Sequence, residues 1–228
     1  MKKNIIAFIF ARGNSKGIKN KNLLKFNKTT LLGNAINHAK NAKYVKKVFV
    51  STDSTKIKKE AKRLGALVPF IRPKHLSNDS SPEIYAWRHA INFLNKKLNI
   101  FPDYIVSVPT TSPLRKVADI NKCIDLAIKK RFDIVFAITK SNKSPFFNIL
   151  IEKNGKIEIA LKKKNIFRRQ DAPKSFDLTT VCYVYKPSYI KNNINLFSGK
   201  VGYIYIPKER ALDIDDKWDY KVAKFLSK

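Results

Sequence analysis

Ile5-Ile6-Ala7-Phe8-Ile9-Phe10-Ala11-Arg12-Gly13-Asn14-Ser15-Lys16-Gly17 is the stretch on which the fold turns. Its six leading apolar residues, far short of a bilayer span, read as a first β-strand. No cleavage-like stretch follows, so a secretory signal is not expected. The strand empties at Ala11 into a loop with two glycines, Arg12 and Lys16, and Lys19 and Lys21 lie just beyond. Open α/β sheets bind ligands outside the carboxyl ends of their strands. Glycines let the backbone approach an anion, Arg offers a planar fork, and Lys a mobile point charge. The loop therefore suits a triphosphate, the alternative being an ordinary surface turn. Neither a Walker-type Gly-Lys-Ser/Thr ending nor a Gly-x-Gly-x-x-Gly fingerprint is present.

Outward from this loop, short β-branched runs alternate with amphipathic segments up to about Thr139. That pattern predicts a mostly parallel, Rossmann-like α/β sheet with helices on both faces. Strands are expected at 5–10, 47–51, 67–71, 104–108 and 134–139, and helices at 30–42, 54–64, 81–98 and 117–130. Ser54 and Ser81 can cap helices, and Pro82 suits a first helical position. After Lys140 the alternation breaks. Residues 148–161 read as a hairpin turning at Asn154-Gly155, within an insertion spanning 142–181. Strands at 181–185 and 201–206 and a helix at 216–226 complete one domain over 1–228.

With 228 residues, 44% hydrophobic and 11% aromatic, the chain can bury a full core. No stretch is long and apolar enough for a membrane helix. Cys123 and Cys182 lack metal-site spacing and disulfide density, which points to a reducing cytoplasm. The formal charge of +30 invites a nucleic-acid reading. Its lysines are spread over the whole chain, however, and the clusters at 40–47, 56–62 and 162–164 read as solvated faces or hairpin ends. Nucleic acid is thus not expected as a partner, and a basic nucleic-acid-binding module stands as the alternative of a different class.

Asp213-Ile214-Asp215 is the second candidate site. In extended backbone the period of two sends both carboxylates to one face and Ile214 into the core. Two hard oxygen ligands suit Mg²⁺, which keeps waters and shares itself with phosphates. The alternative is an acid-rich helix start capped by Asp215 or Asp216.

These two motifs, with Thr110-Thr111-Ser112-Pro113-Leu114-Arg115 and Arg168-Arg169-Gln170-Asp171-Ala172-Pro173, resemble the acylneuraminate cytidylyltransferase family. That family comprises the CMP-sialic acid synthetases and their relatives for other nonulosonic acids, and the likeness runs from Ile5 to about Asp219. It implies a fold of the nucleotide-diphospho-sugar transferase type and Mg²⁺-assisted CMP transfer from CTP to the anomeric hydroxyl of an acidic sugar. Arg12, Gly13, Ser15, Lys16, Gly17 and Asn22 would hold CTP, with Arg72 and Ser80 at the cytosine. Arg12, Lys21 and Asp215 would act in catalysis, and Asp213 and Asp215 on the metal. Thr111, Ser112, Arg115, Arg169 and Thr179 would face the sugar. The 142–181 insertion matches a dimerisation arm, which implies a homodimer, and Arg169 would reach the neighbouring subunit's sugar or anchor the arm.

Two departures fall where the sugar is expected. Pro109 stands where sialic acid enzymes often have Gln, and Thr179-Thr180 where they often have Asn-Gly. Lost hydrogen-bonding groups discriminate strongly, so an altered acceptor is expected, including another 3-deoxy-2-keto sugar acid. His38, His75 and His89 are scattered, and Trp87 and Trp218 read as packing residues.

Overall fold

β1 (Ile5–Phe10) carries no polar residue because both of its faces are covered. In the computed structural model, which describes residues 3–162 and 166–227, it pairs in parallel with β4 (Val45–Ser51) and β5 (Tyr104–Ser107). Lys163 and Lys164 of the basic run noted above lie outside the described residues. β9 (Phe176–Tyr185), β6 (Ile134–Lys140) and β10 (Val201–Tyr205) extend the sheet, in the order β10-β6-β9-β5-β1-β4. β9 runs antiparallel to both of its neighbours, and the other pairings are parallel.

Alternate residues of β1 build two cores. Ile5, Ala7 and Ile9 face α1 (Leu31–Lys40), α2 (Thr55–Arg63) and α4 (Val117–Lys130), which bring Leu32, Ile36, Ile57 and Ile124. Ile6 and Phe8 face α3 (Glu83–Lys97) and α5 (Pro187–Asn192), which bring Trp87, Ile91, Leu94 and Ile190. Helices therefore cover both faces. A third cluster joins Leu31 and Ile214 to α6 (Lys217–Leu226) and to Phe26, where β2 (Lys25–Phe26) meets β3 (Thr29–Thr30). Trp87 is buried as a packing residue, whereas Trp218 is 71% exposed.

Local chemistry sets the element ends. Thr30 caps α1 by accepting from Gly33 N–H, and Ser54 caps α2 by accepting from Ile57 N–H. α3 begins at Glu83 instead of Ser81, with Pro82 in extended backbone at the cap position and no side-chain cap. The expected strand at 67–71 reduces to a single bridge from Leu67 to Phe49, because Pro69 has no N–H to continue the ladder. β7 (Leu150–Lys153) and β8 (Lys156–Ile159) form the expected hairpin as a separate sheet. Its turn places Asn154 at φ 53° and Gly155 at φ 74°, the conformation glycine tolerates best. β9 starts at Phe176, so the end of the 142–181 insertion belongs to the main sheet.

Among the described residues no helix is long and apolar enough to cross a membrane. Cys123 on α4 and Cys182 on β9, remote in sequence, meet in the core as free thiols, and burial pushes the Cys123 thiol well above its ordinary pKa.

Candidate functional site

A cavity of about 620 Å³ opens at the carboxyl ends of β1 and β5, a volume suited to a small ligand. Its first wall is the loop after β1. Arg12, Ser15, Lys16, Gly17, Lys21 and Asn22 all line it, so the predicted phosphate group is brought together. Gly13 lies behind them and donates its N–H to Asp53 Oδ1 at 2.8 Å. Gly17 is required by close approach, since a Cβ there would stand 2.0 Å from the Asp215 carbonyl oxygen.

Asn22 is occupied with the loop itself. Its Nδ2 donates to the Arg12 carbonyl at 2.8 Å and its Oδ1 accepts from Thr110 Oγ1 at 2.5 Å. This buried amide locks the loop after β1 to the end of β5 and leaves little free to hold a ligand. Lys21 Nζ donates to the Ile214 carbonyl at 2.6 Å and lies 3.6 Å from Asp215 Oδ1, which ties the loop to the 211–215 segment.

The second wall runs from Arg72 to Glu83. Arg72 is only 4% exposed, and burial lowers its pKa while Asp53 opposes the shift. Its Nε donates to Ser77 Oγ at 2.9 Å, and Nη2 lies 3.9 Å from Asp53 Oδ1. Asp53 thus links Arg72 to the loop after β1, a role the sequence did not disclose. Its place just after β4, at a strand's carboxyl end, was the available signal. Asp79 was missed too: Oδ1 accepts from Arg12 Nη1 at 2.5 Å and Oδ2 lies 3.5 Å from Lys16 Nζ. Ser80 lies outside the lining and bonds Asn78, while Ser77, Asp79 and Ser81 face the cavity.

The third wall holds Pro109, Thr110, Thr111, Thr180 and Tyr183. Thr179, expected at the sugar, is instead buried and donates to the Ala137 carbonyl at 2.8 Å. The reason is a register shift where β9 passes β6, between Phe136 and Ile138, which breaks strict alternation and turns Thr180 and Tyr183 to the cavity together. Ser112 is fully buried, sharing a 2.6 Å hydrogen bond with Thr180 Oγ1. Arg115 is also buried and donates to the Pro109 carbonyl from behind the wall. Burial lowers its pKa to about 10, and its Nε and Nη1 have no partner among the described residues. It braces the wall from the protein side and does not face the cavity. Arg169 lies away from this cavity, beside a separate depression with Lys140, Pro173 and Tyr205.

Ile214 is fully buried, as its place between two aspartates predicts, but 211–215 forms no strand. Arg210 pins this segment through a bidentate ion pair with buried Asp119, at 2.8 and 2.9 Å. Asp215 opens into the cavity with its side chain 81% exposed, whereas Asp213 lies outside the lining. The capping function belongs to Asp216, which accepts from the N–H groups of Trp218 and Asp219. Asp215 is therefore free for ligand chemistry. Among the described residues no three His, Cys, Asp or Glu side chains form a metal cage. Mg²⁺ needs no such cage, and the buried, unpartnered Asp213 Oδ1 beside Asp215 fits an ion with few protein ligands.

A switch-point loop with three cations at the end of a central parallel strand makes an anion-binding site of the kind α/β folds build for nucleotides. The Cytidylyltransferase family model matches residues 6–198. The post-translational flagellin modification protein B of Campylobacter coli is 32% identical over 98% of this chain and 95% of its own. CMP-N,N'-diacetyllegionaminic acid synthase of Campylobacter jejuni is 32% identical over 97% and 94%. A CMP:2-keto-3-deoxy-manno-octonic acid synthetase structure superposes with a TM-score of 0.74 over 98% of both chains at 11% identity, a likeness of fold. The chain belongs to the cytidylyltransferase family.

Proposed function

We propose that this protein transfers CMP from CTP to the anomeric hydroxyl of a nonulosonic, sialic-acid-like sugar acid. The sugar oxygen bonds to the α-phosphorus, the bond to pyrophosphate breaks, and the hydroxyl proton is released. The observation that carries the reading is the convergence of Arg12, Lys16, Lys21 and Asp215 on one cavity. No nucleophilic residue is needed, because positioning and charge neutralisation supply the catalysis in such transfers. Arg12, Lys16 and Ser15 would hold the β- and γ-phosphates, and Lys21 would face the departing pyrophosphate.

Asp215, with Asp213 behind it, would hold Mg²⁺, whose charge would offset that of the triphosphate. The third wall would receive the sugar. There Pro109 offers no side-chain hydrogen bond, and the Thr110, Thr111 and Thr180 hydroxyls already bond other protein groups. That set supports an acceptor recognised differently from sialic acid itself. One of the two 32%-identical relatives is named for a diacetyllegionaminic acid, which supports the nonulosonic class.

A homodimer and a reducing cytoplasm belong to the same proposal. Exposed Leu150, Ile157 and Phe167 in the insertion support a partner surface, and two free buried thiols suit the compartment. The test is pyrophosphate release from CTP and Mg²⁺ over a panel of nonulosonic and other 3-deoxy-2-keto sugar acids. Release with at least one nonulosonic acid is expected. No CTP-dependent release with any acid, alongside salt-sensitive RNA binding, would replace this reading with the nucleic-acid alternative.

A further inference from the structure

Three carboxylates line the cavity, and two are engaged by cations. Asp79 is held by Arg12 and Lys16, and Asp215 lies beside Lys21. Glu83, the third, makes no ion pair among the described residues. It opens α3, and its Oε1 accepts from Trp87 Nε1 one turn on at 3.1 Å. Trp87 cannot swing away, because it is buried and stacked on Tyr185 with centroids 4.5 Å apart. The carboxyl is thereby fixed with one oxygen engaged and the other available to the cavity. Glu83 keeps exposed surface, yet protein surrounds it closely enough that desolvation raises its pKa, against the pull of Trp87 and Arg72. Both statements hold for a group that opens onto a cavity instead of bulk water.

Several other polar groups on that side are already paired. Ser77 accepts from Arg72, Asn78 accepts from Ser80, and Asn22 braces the loop. Ser81 also faces the cavity, with a hydroxyl that can donate or accept and so does not discriminate between the bases. The two lining groups of fixed hydrogen-bonding sense are the Arg72 guanidinium, which only donates, and beside it the Glu83 carboxylate, which only accepts. Cytosine offers O2 and N3 as acceptors and a 4-amino group as donor. Uracil replaces that amino group with a carbonyl oxygen, which would face the carboxylate acceptor to acceptor.

We propose that Glu83 selects cytosine over uracil by accepting a hydrogen bond from the 4-amino group, while Arg72 donates to the acceptor edge of the same base. This rests on the CTP reading above. A buried polar group left without its partner lowers affinity by roughly five- to a hundredfold, so a tenfold preference lies within its reach.

The test is calorimetric binding of CTP and UTP to the full chain and to Glu83→Gln and Glu83→Ser. In Glu83→Gln the Trp87 N–H holds the amide oxygen, so the NH₂ group meets the base and suits the uracil oxygen. The CTP to UTP affinity ratio is expected to fall at least tenfold in Glu83→Gln, with UTP binding improved, and to fall in Glu83→Ser without that improvement. A merely structural role would weaken both nucleotides alike. A ratio within threefold of wild type in both variants overturns the Glu83 assignment and leaves the CTP reading standing. Failure of the wild-type chain to bind CTP overturns both.

Discussion

Arg12 Nη1 and Asp79 Oδ1 stand 2.5 Å apart and join the wall formed by the loop after β1 to the Arg72–Glu83 wall. The pair occupies a cation that the proposed triphosphate needs. With side-chain exposures of 36% and 45%, it is a surface ion pair, worth at most about 1 kcal/mol. A triphosphate, with more charge and more acceptors, is expected to displace it. Asp79→Asn is therefore expected to tighten pyrophosphate and CTP binding about two- to fivefold in low salt, with the gain shrinking as salt rises. Weaker binding in the variant would mean that Asp79 orients Arg12 and does not compete with the ligand.

Arg12→Ala and Asp215→Asn address the proposed roles directly. Each is expected to lower turnover about a hundredfold or more, the size seen when one charge-stabilising group is removed. Neither side chain is in the core, so melting temperatures should stay within a few degrees of wild type. Near-normal turnover in a folded variant would remove that residue from the mechanism.

Gly17→Ala places a methyl group 2.0 Å from the Asp215 carbonyl, a backbone atom that cannot rotate aside. Overpacking of this kind costs about 1–3 kcal/mol. A lower melting temperature should accompany weaker CTP binding, because the phosphate loop must part from the 211–215 segment. Unchanged stability and CTP affinity would show that the loop accommodates the methyl group freely.

His38 links stability to pH. Burial, then the nearby charge of Arg115, lowers its pKa from 6.5 to about 4. Below pH 6.5 the unfolded chain takes up a proton at this site that the folded chain refuses. Stability from this residue is complete above pH 6.5 and is lost toward pH 4, with a slope of up to about 1.4 kcal/mol per pH unit. Urea unfolding at pH 7 and pH 5 should show a smaller pH effect in His38→Gln than in wild type. Equal effects would place the acid sensitivity elsewhere.

The proposed dimer gives a concentration-dependent prediction. Ile157 is 64% exposed and Phe167 is 83% exposed. Charging them as Ile157→Asp with Phe167→Asp should shift sedimentation toward the monomer while the main sheet stays folded. A wild-type chain that sediments as a monomer at all concentrations would end the dimer proposal.

The sequence alone determined the parallel sheet, its two-sided helical cover and the basic glycine loop after β1. Those features are written in local periodicity: all-apolar Ile5–Phe10, the amphipathic helices, and the turn at Asn154-Gly155. The same locality misled at 67–71, where hydrophobicity outweighed the missing N–H of Pro69, and at Ser81, where Pro82 moved the start of α3.

Tertiary structure decided which side chains share the cavity. Thr180 replaces Thr179 there because β9 slips register against β6, and that slip depends on pairing between segments some forty residues apart in the chain. Arg115 turned into the core, Asp79 and Glu83 came to the cavity from a loop and a helix start, and Asp53 came to bond Gly13 behind it. Side-chain direction at such places follows from packing and long-range hydrogen bonds, which no local pattern encodes.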